Sequence, residues 1–314
     1  MPANLQACLG RRMGLLRPKR HVVDPRFLSY VYLSPEFQEV ISQRSIRGAT
    51  VDRIPLIDLP NWEVRIAPLS EQDAIASVLS SLDDKIALQQ RVSRLIIDLM
   101  KCRYAGYGAD QAEVCIADIA EVFDGPHATP AKTLSGPWFL SISSLDGGRL
   151  ALDESAHLSD EDFQRWTRRV IPREGDLLFS YETRLGEAAL MPPGVRACLG
   201  RRMALLRPRD GWVGPRVLLQ AFLSATFQRT IQQRAVRGAT VDRIPLTELP
   251  NWPIPIPTGD STELEELLAD LDRLAVQQDR EIEALVRLRD ALLPKLMSGE
   301  IRVREAEKIV EAAV

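Results

Sequence analysis

The stretch RGATVDRIPLIDLPNW at Arg47–Trp62 returns almost unchanged as RGATVDRIPLTELPNW at Arg237–Trp252, shifted by 190 positions. The same shift aligns ACLGRRM at Ala7–Met13 with ACLGRRM at Ala197–Met203. Of the 56 positions from Ala7 to Trp62, 36 are identical in the two copies. A repeat of this length predicts that the chain contains two related structural units.

A long amphipathic helix is predicted behind each copy. Apolar residues recur at three- and four-residue steps from Ser70 to Met100 and from Leu264 to Leu296, which is typical of a helix with one buried face. About 30 to 35 residues give a rod of roughly 45 to 50 Å. Because the chain must return after the intervening domain, we expect an antiparallel coiled coil in which Gln89–Gln90 and Gln277–Gln278 face each other. The alternative is two helices that pack on unrelated cores.

Residues 111–257, between the two rods, are predicted to form one mixed domain. The expected elements are a short helix at EVCIADIAEVF, a hairpin or a strand and turn at GPWFLSISSLDGGRL, a strand pair in GDLLFSYETRLGEAALMPPG, a strand at ACLGRRMALLRP and one helix at VLLQAFLSATFQRTIQQRA. The predicted fold class is α+β, with mixed α/β domains joined by two long helices.

Composition excludes several classes of function. Forty Lys and Arg balance 43 Asp and Glu, so no global basic field points to nucleic acid, and residues 258–314 alone carry 8 basic and 14 acidic groups. Four cysteines without CxxC spacing and three scattered histidines predict neither a zinc site nor a disulfide framework. With no leader pattern and no run of 18 apolar residues, we expect a cytoplasmic protein that does not bind a membrane.

The sequence carries no recognisable catalytic motif. MPPG at Met191–Gly194 is not the (N/D)PP(Y/F) motif of adenine methyltransferases, and no GxxxxGK(S/T) phosphate loop is present. The charged run Leu82–Lys85 alternates with core positions of a predicted helix, which favours a solvated face over a metal nuclease. We therefore predict a binding protein without catalytic residues, metal or cofactor of its own.

Several motifs, taken in order, resemble the specificity subunit of type I restriction-modification systems. They are GPHATP (125–130), GDLLFS (175–180), RGATVDRIPL in both copies, LSEQDAIASVLSSLDDKI (69–86) and LRDALLPKLMSGEIRV (288–303). The resemblance implies that target-recognition domains each read half of a split site in the major groove of double-stranded DNA, while conserved helices set the spacing. It also implies docking of modification subunits and, through them, of restriction subunits, which would hold S-adenosylmethionine, ATP and Mg.

On this basis we expect the following organisation: the C-terminal remnant of a first recognition domain (1–65), a first spacer helix (66–110), a complete second recognition domain (111–257), a second spacer helix (258–304) and an acidic tail (305–314). The region 111–190 has no upstream counterpart. This departure leaves open a half-subunit that homodimerises on a palindromic target, a non-functional remnant or recombination cassette, and an enzyme with an unrecognised site.

Candidate DNA-binding residues lie in predicted turns of the second domain, where arginine can donate to guanine and hydroxyls or backbone amides can bind phosphate. In a strand, neighbouring Arg201 and Arg202 would point to opposite faces, so we expect one to face DNA and the other to pair structurally. The candidates are Thr129, Lys132, Arg184, Arg201, Arg202, Arg237, Gly238, Thr240 and Arg243.

Arg184 in the loop after GDLLFS is the strongest of these candidates for base recognition. Arg184→Ala is expected to relax one half-site only, because a bidentate contact to one base contributes about 1 to 3 kcal/mol of discrimination. Methylome mapping of the assembled complex with and without the substitution measures this. Unchanged methylation would remove Arg184 from the interface.

Overall fold

The computed structural model describes residues 8–48, 51–107, 110–153, 155–238 and 241–313. The helices are α1 Pro25–Leu33, α2 Pro35–Arg44, α3 Leu69–Ala105, α4 Ile116–Ile119, α5 Asp160–Trp166, α6 Pro215–Leu223, α7 Ala225–Arg234, α8 Thr262–Ser298 and α9 Val303–Ala313. The strands are β1 Gln111–Cys115, β2 Ala120–Asp124, β3 Thr133–Leu140, β4 Leu145–Asp146, β5 Arg149–Leu150, β6 Ala156–His157, β7 Leu177–Ser180, β8 Ala188–Leu190, β9 Ala197–Leu199, β10 Met203–Pro208 and β11 Pro253–Pro257.

The chain divides into two compact units. The first comprises residues 1–93 and 277–314, and the second comprises residues 94–276, so the division falls within both long helices. Each of α3 and α8 has 37 residues, which corresponds to about 55 Å at 1.5 Å per residue. Helix α8 continues through Pro294 to Ser298. None of the described helices is long and apolar enough to cross a bilayer.

The two long helices pack antiparallel in the first unit, as predicted. Three polar contacts join them, and the residue number in α8 falls as the number in α3 rises: Asp83 with Arg289 (3.0 Å), Gln89 with Glu281 (3.0 Å) and Ser93 with Asp279 (3.2 Å). The glutamines do not pair with each other as expected. Instead Gln89 and Gln277 both donate to the Glu281 carboxylate, because a carboxylate can accept two amide donors at once.

An apolar cluster holds the first unit together. Phe27 from α1, Leu79 and Leu82 from α3, and Leu292 from α8 lie in it, all nearly or completely buried. Helix α9 adds Ala306, which is fully buried in the same cluster. Residues 305–313, nearly all of the expected acidic tail 305–314, therefore belong to the packed helix α9, because its apolar side chains recur at helical spacing and pack on this core.

The second unit is built on small sheets. A four-stranded antiparallel sheet has the order β2-β10-β7-β8, and a three-stranded sheet has the order β6-β3-β9. Strands β1 and β11 pair antiparallel, and β4 and β5 form a hairpin. Leu178 of β7 and Leu205 of β10, both in the larger sheet, are fully buried in one apolar cluster.

Three sequence expectations for residues 111–257 are corrected. EVCIADIAEVF forms the end of β1, the single helical turn α4 and most of β2. It is not one helix because its first residues pair with β11 and its last residues pair with β10. The predicted strand ACLGRRMALLRP is two strands, β9 and β10, in different sheets. The predicted single helix over 217–235 is α6 and α7, separated at Ser224, whose hydroxyl caps α7 by accepting from Phe227 N.

The repeated ACLGRRM sequence has two different structures. In the second copy Leu199 and Met203 are 2% and 0% exposed within the sheets, whereas in the first copy Leu9 and Met13 are 50% and 63% exposed. No described residue pairs as a strand with residues 8–18. The same residues therefore form strands only where neighbouring strands supply backbone partners, since an unpaired strand buries too little to be stable.

The repeat also begins its first helix in two different ways. In the first copy Asp24 caps α1 by accepting from Arg26 N and Phe27 N. The equivalent residue in the second copy is Gly214, which has no side-chain cap. There the Glu265 carboxylate from α8 accepts from Arg216 N and Val217 N at 3.0 and 2.9 Å. A distant carboxylate thus satisfies the amides that a local one satisfies in the first copy.

The two kinds of cap predict that one can replace the other. Glu265→Ala is expected to destabilise the chain by about 1 to 2 kcal/mol, because the α6 amides lose their acceptor. Gly214→Asp alone is expected to destabilise it too, because a Cβ at Gly214 would lie 2.3 Å from the Glu265 carboxylate carbon and the two carboxylates would compete for the same amides as like charges.

In the Glu265→Ala background, however, Gly214→Asp should restore stability by recreating the Asp24 type of cap. Urea unfolding followed by circular dichroism measures each variant. Simple addition of the two losses in the double variant would contradict this account.

Candidate nucleic-acid interface

Four segments of the second unit meet at one surface, which we call the turn cluster. It comprises residues 124–127, 181–184 and 200–203 together with 236–238 and 241–244. Gly125 N donates to Met203 O (3.0 Å), Tyr181 N donates to Arg202 O (3.1 Å), and Ile244 N donates to Tyr181 O (2.8 Å). Backbone hydrogen bonds therefore hold these loops together.

Arg201 and Arg202 lie in a turn between β9 and β10, closed by Met203 N donating to Gly200 O. The strand alternation expected for the pair does not apply, because the chain turns here to pass from one sheet to the other. The two side chains nevertheless differ. Arg202 forms an ion pair with Glu182 (2.7 Å), whereas Arg201 is exposed and has no hydrogen bond or ion pair to any described residue.

Arg184 is exposed but held in place. Its guanidinium forms an ion pair with Glu187 (3.3 Å) and donates to Ile142 O (3.4 Å). Both contacts lie at the surface, where such pairs contribute little stability and exchange readily with a ligand. The structure thus leaves Arg184 available for an acceptor on a bound molecule.

Tyr181 and Asp124 form a polar side-chain pair within the turn cluster, in which Tyr181 is buried and Asp124 is partly buried. Burial raises the pKa of the Tyr181 hydroxyl above its ordinary value, and the adjacent Asp124 carboxylate raises it further. Asp124 also faces His127 at 3.1 Å and Arg169 at 4.0 Å. Tyr181 therefore stays protonated at any physiological pH and can act as a donor.

The second repeat copy adds two further arginines to the cluster. Arg237 and Arg243 lie on either side of a loop that is closed by reciprocal hydrogen bonds between Val236 and Arg243. Both are exposed, and neither side chain has a hydrogen bond or ion pair to the described residues. With Arg201 they form three cations that the described part of the fold leaves unneutralised, as expected of a surface that binds an anion.

The remaining predicted residues are not all brought together. Thr129 and Lys132 are exposed on the β2–β3 loop, and no side-chain contact joins them to the described part of the cluster. The glycine at position 238 is required by the packing of the backbone, since a Cβ there would lie 2.2 Å from Val241 O. Thr240 lies outside the described residues.

Sequence reasoning missed Asp124, Tyr181, Glu182, Thr183 and Arg169. None of them belongs to the repeated stretch, so the repeat could not mark them. The alternation of acidic and basic residues in YETRLGE (181–187) was a usable indication of an ion-paired loop. Among the described residues, no three His, Cys, Asp or Glu side chains gather as a metal site.

The fold is that of the specificity subunits of type I restriction-modification systems. The crystal structure of the Type-I restriction-modification system S subunit from M. genitalium aligns over 88% of this chain and 73% of its own, with a TM-score of 0.54 and 16% identity. This likeness confirms the fold expected from the sequence resemblance.

Two further solved structures align at 20% identity over 91% of this chain. They are the HsdS subunit from Thermoanaerobacter tengcongensis, with 73% of that chain covered and a TM-score of 0.39, and a chain from a study of complex assembly and conformational transition of the type I R-M system, with 74% covered and a TM-score of 0.46. No protein-family model and no curated protein sequence matches the chain.

The repeat provides a matched test of the Gly200–Met203 turn. A Cβ at Gly200 would lie 2.5 Å from Leu140 O, whereas a Cβ at the equivalent Gly10 would meet only the Met13 side chain, at 3.5 Å. Gly200→Ala is expected to lower the free energy of unfolding by about 1 to 3 kcal/mol through overpacking, and Gly10→Ala is expected to lower it much less. Differential scanning calorimetry of both variants checks this, and equal melting temperatures would contradict it.

Proposed function

We propose that this chain is the sequence-recognition and scaffolding subunit of a type I restriction-modification complex. The domain at 111–257 reads one half of a DNA target through the turn cluster, and the long helices dock modification subunits. The single observation that carries the proposal is the group of unneutralised arginines, Arg201, Arg237 and Arg243, on rigid turns of a specificity-subunit fold.

The chemistry of the turn cluster suits duplex DNA. Arginine presents a planar set of donors that can bind phosphate or the guanine edge bidentately. The chain as a whole is slightly acidic, with a net charge of -3, so affinity must come from local contacts rather than from a global field. Binding is therefore expected to be confined to this surface and to weaken with salt.

The long helices suit a spacing role. At about 55 Å, each exceeds one turn of B-form DNA, which is roughly 34 to 36 Å between half-site centres. The polar contacts of Asp83, Gln89 and Ser93 with α8 define one register for the helix pair. We propose that this register sets the distance between the two halves of the target.

The chain supplies binding rather than catalysis in this proposal. Methyl transfer with S-adenosylmethionine, and ATP-driven translocation and cleavage with Mg, belong to the modification and restriction subunits. All of them act in the cytoplasm, where the DNA lies. A homodimer of this chain remains the alternative arrangement, and sedimentation of the purified complex distinguishes it by mass.

The proposal predicts a position-dependent effect of arginine removal. The triple variant Arg201→Ala, Arg237→Ala, Arg243→Ala is expected to bind duplex DNA more weakly and to lower the salt slope by up to about 0.9 per lost phosphate contact. The matched control is Arg11→Ala, Arg47→Ala, Arg53→Ala, which removes the equivalent arginines of the first copy, where residues 8–18 form no strand.

Duplex binding is measured by fluorescence anisotropy at several NaCl concentrations, with the full chain co-purified with modification subunits. The control should change affinity and slope less than the triple variant does. Equal effects of the two variants, or methylation by the chain in the absence of any partner, would contradict the proposal.

A further inference from the structure

Two residues of the turn cluster have an unusual backbone. Among the described residues, Thr183 (φ +69°) and Arg202 (φ +71°) are the two that adopt left-handed backbone without being glycine. This conformation costs a residue with a side chain roughly 1 to 2 kcal/mol. Such strain persists only where the surrounding structure enforces it, and it gathers at functional sites.

The two strained residues belong to different segments but contact each other. Arg202 Nη1 donates to Thr183 Oγ1 at 3.3 Å, and Arg202 Nε forms an ion pair with Glu182 Oε2 at 2.7 Å. Arg202 O also accepts from Tyr181 N. Side chain and backbone of Arg202 are thus both engaged by the neighbouring segment 181–184.

Thr183 lies at the centre of a three-residue turn. Arg184 N donates to Glu182 O at 2.8 Å, which together with the positive φ of Thr183 defines the rare and strained form of the γ-turn. The Ser180 hydroxyl also donates to Glu182 O, at 2.6 Å. The turn is therefore fixed from both sides and presents Glu182 toward Arg202.

The first copy of the repeat shows that GRRM alone does not require this conformation. Met13 N donates to Gly10 O at 3.1 Å, as Met203 N does to Gly200 O. Arg12, the counterpart of Arg202, is described but does not have a positive φ. The left-handed Arg202 therefore depends on surroundings that only the second copy has, which include its contacts with residues 181–184 and the paired strands on either side of the turn.

We propose that Arg202 is a positioning residue that does not contact DNA, and that its engagement by Glu182 and Thr183 fixes the direction in which the neighbouring Arg201 meets an acceptor on the duplex. Of the two neighbouring arginines, Arg201 is exposed and has no ion pair to a described residue. Its backbone lies between Gly200 and Arg202, whose side chain and backbone both contact residues 181–183. The acceptor is a phosphate oxygen or a guanine edge, which share the geometry that a guanidinium binds. This inference rests on the proposed function.

Glycine substitutions separate positioning from folding. Arg202→Gly and Thr183→Gly keep the left-handed backbone and relieve its strain, and this relief offsets the ion pair or hydrogen bond that each substitution removes. Their melting temperatures should therefore stay close to that of the parent. Each should nevertheless weaken binding about tenfold through a less fixed Arg201. The salt slope should stay unchanged, because neither residue neutralises a phosphate.

Arg201→Ala should give the contrasting result. If the acceptor is phosphate, affinity falls on all sequences and the salt slope falls by about 0.9. If it is guanine, the loss is confined to one position of the target. Arg12→Gly and Arg11→Ala, the same substitutions in the first copy, serve as controls and should leave both measurements unchanged.

The measurements use the full chain with its modification subunits, and duplexes enriched from a random-sequence pool. Parent-like affinity of Arg202→Gly, or a salt slope that falls as it does for a phosphate contact, would overturn the positioning role. Failure of the parent complex to enrich any sequence would instead overturn the proposed function. The two failures are therefore distinguishable.

Discussion

Strand β10 has neighbours on both edges, β2 on one side and β7 on the other, and the second unit depends on this arrangement. Each backbone amide and carbonyl of a buried strand must find a partner, so a central strand forms only where both neighbours are present. Gly125, directly after β2, donates to Met203 O at the start of β10, and Tyr181, directly after β7, donates to Arg202 O in the turn before β10. Sheet pairing therefore assembles the turn cluster directly.

The same constraint explains the charge distribution of the surface. Arg202 and Arg184 are neutralised by acidic residues of the loop after β7, while Arg201, Arg237 and Arg243 form no ion pair with a described residue. An almost neutral chain thereby presents a local cationic surface on rigid turns. Rigidity matters because a guanidinium held in place loses less conformational freedom when it binds.

Sequence patterns predicted the long helices, their antiparallel pairing and the strand pair β7–β8, because each depends on a periodicity or a turn composition that can be read locally. They failed over EVCIADIAEVF, where helical spacing and strand pairing compete and the partner strands are remote in sequence. For the site, sequence reasoning named the duplicated arginines as candidates, whereas it did not name Glu182 and Thr183. Their importance comes from their contacts with Arg202, which lies 19 residues after Thr183 in the chain.

The repeat divides what sequence alone determined from what tertiary structure decided. Both copies form two short helices separated by a serine, a loop closed by a pair of backbone hydrogen bonds, and a single 3-10 turn at Leu-Pro-Asn. These features need only caps, prolines and contacts within a few residues, so sequence determined them. By contrast, Leu199 and Met203 of ACLGRRM are buried in strands, whereas their counterparts Leu9 and Met13 are exposed, and Arg202 has a positive φ while Arg12 does not. Strand pairing and the engagement of Arg202 require partners distant along the chain, and only the folded structure supplies them.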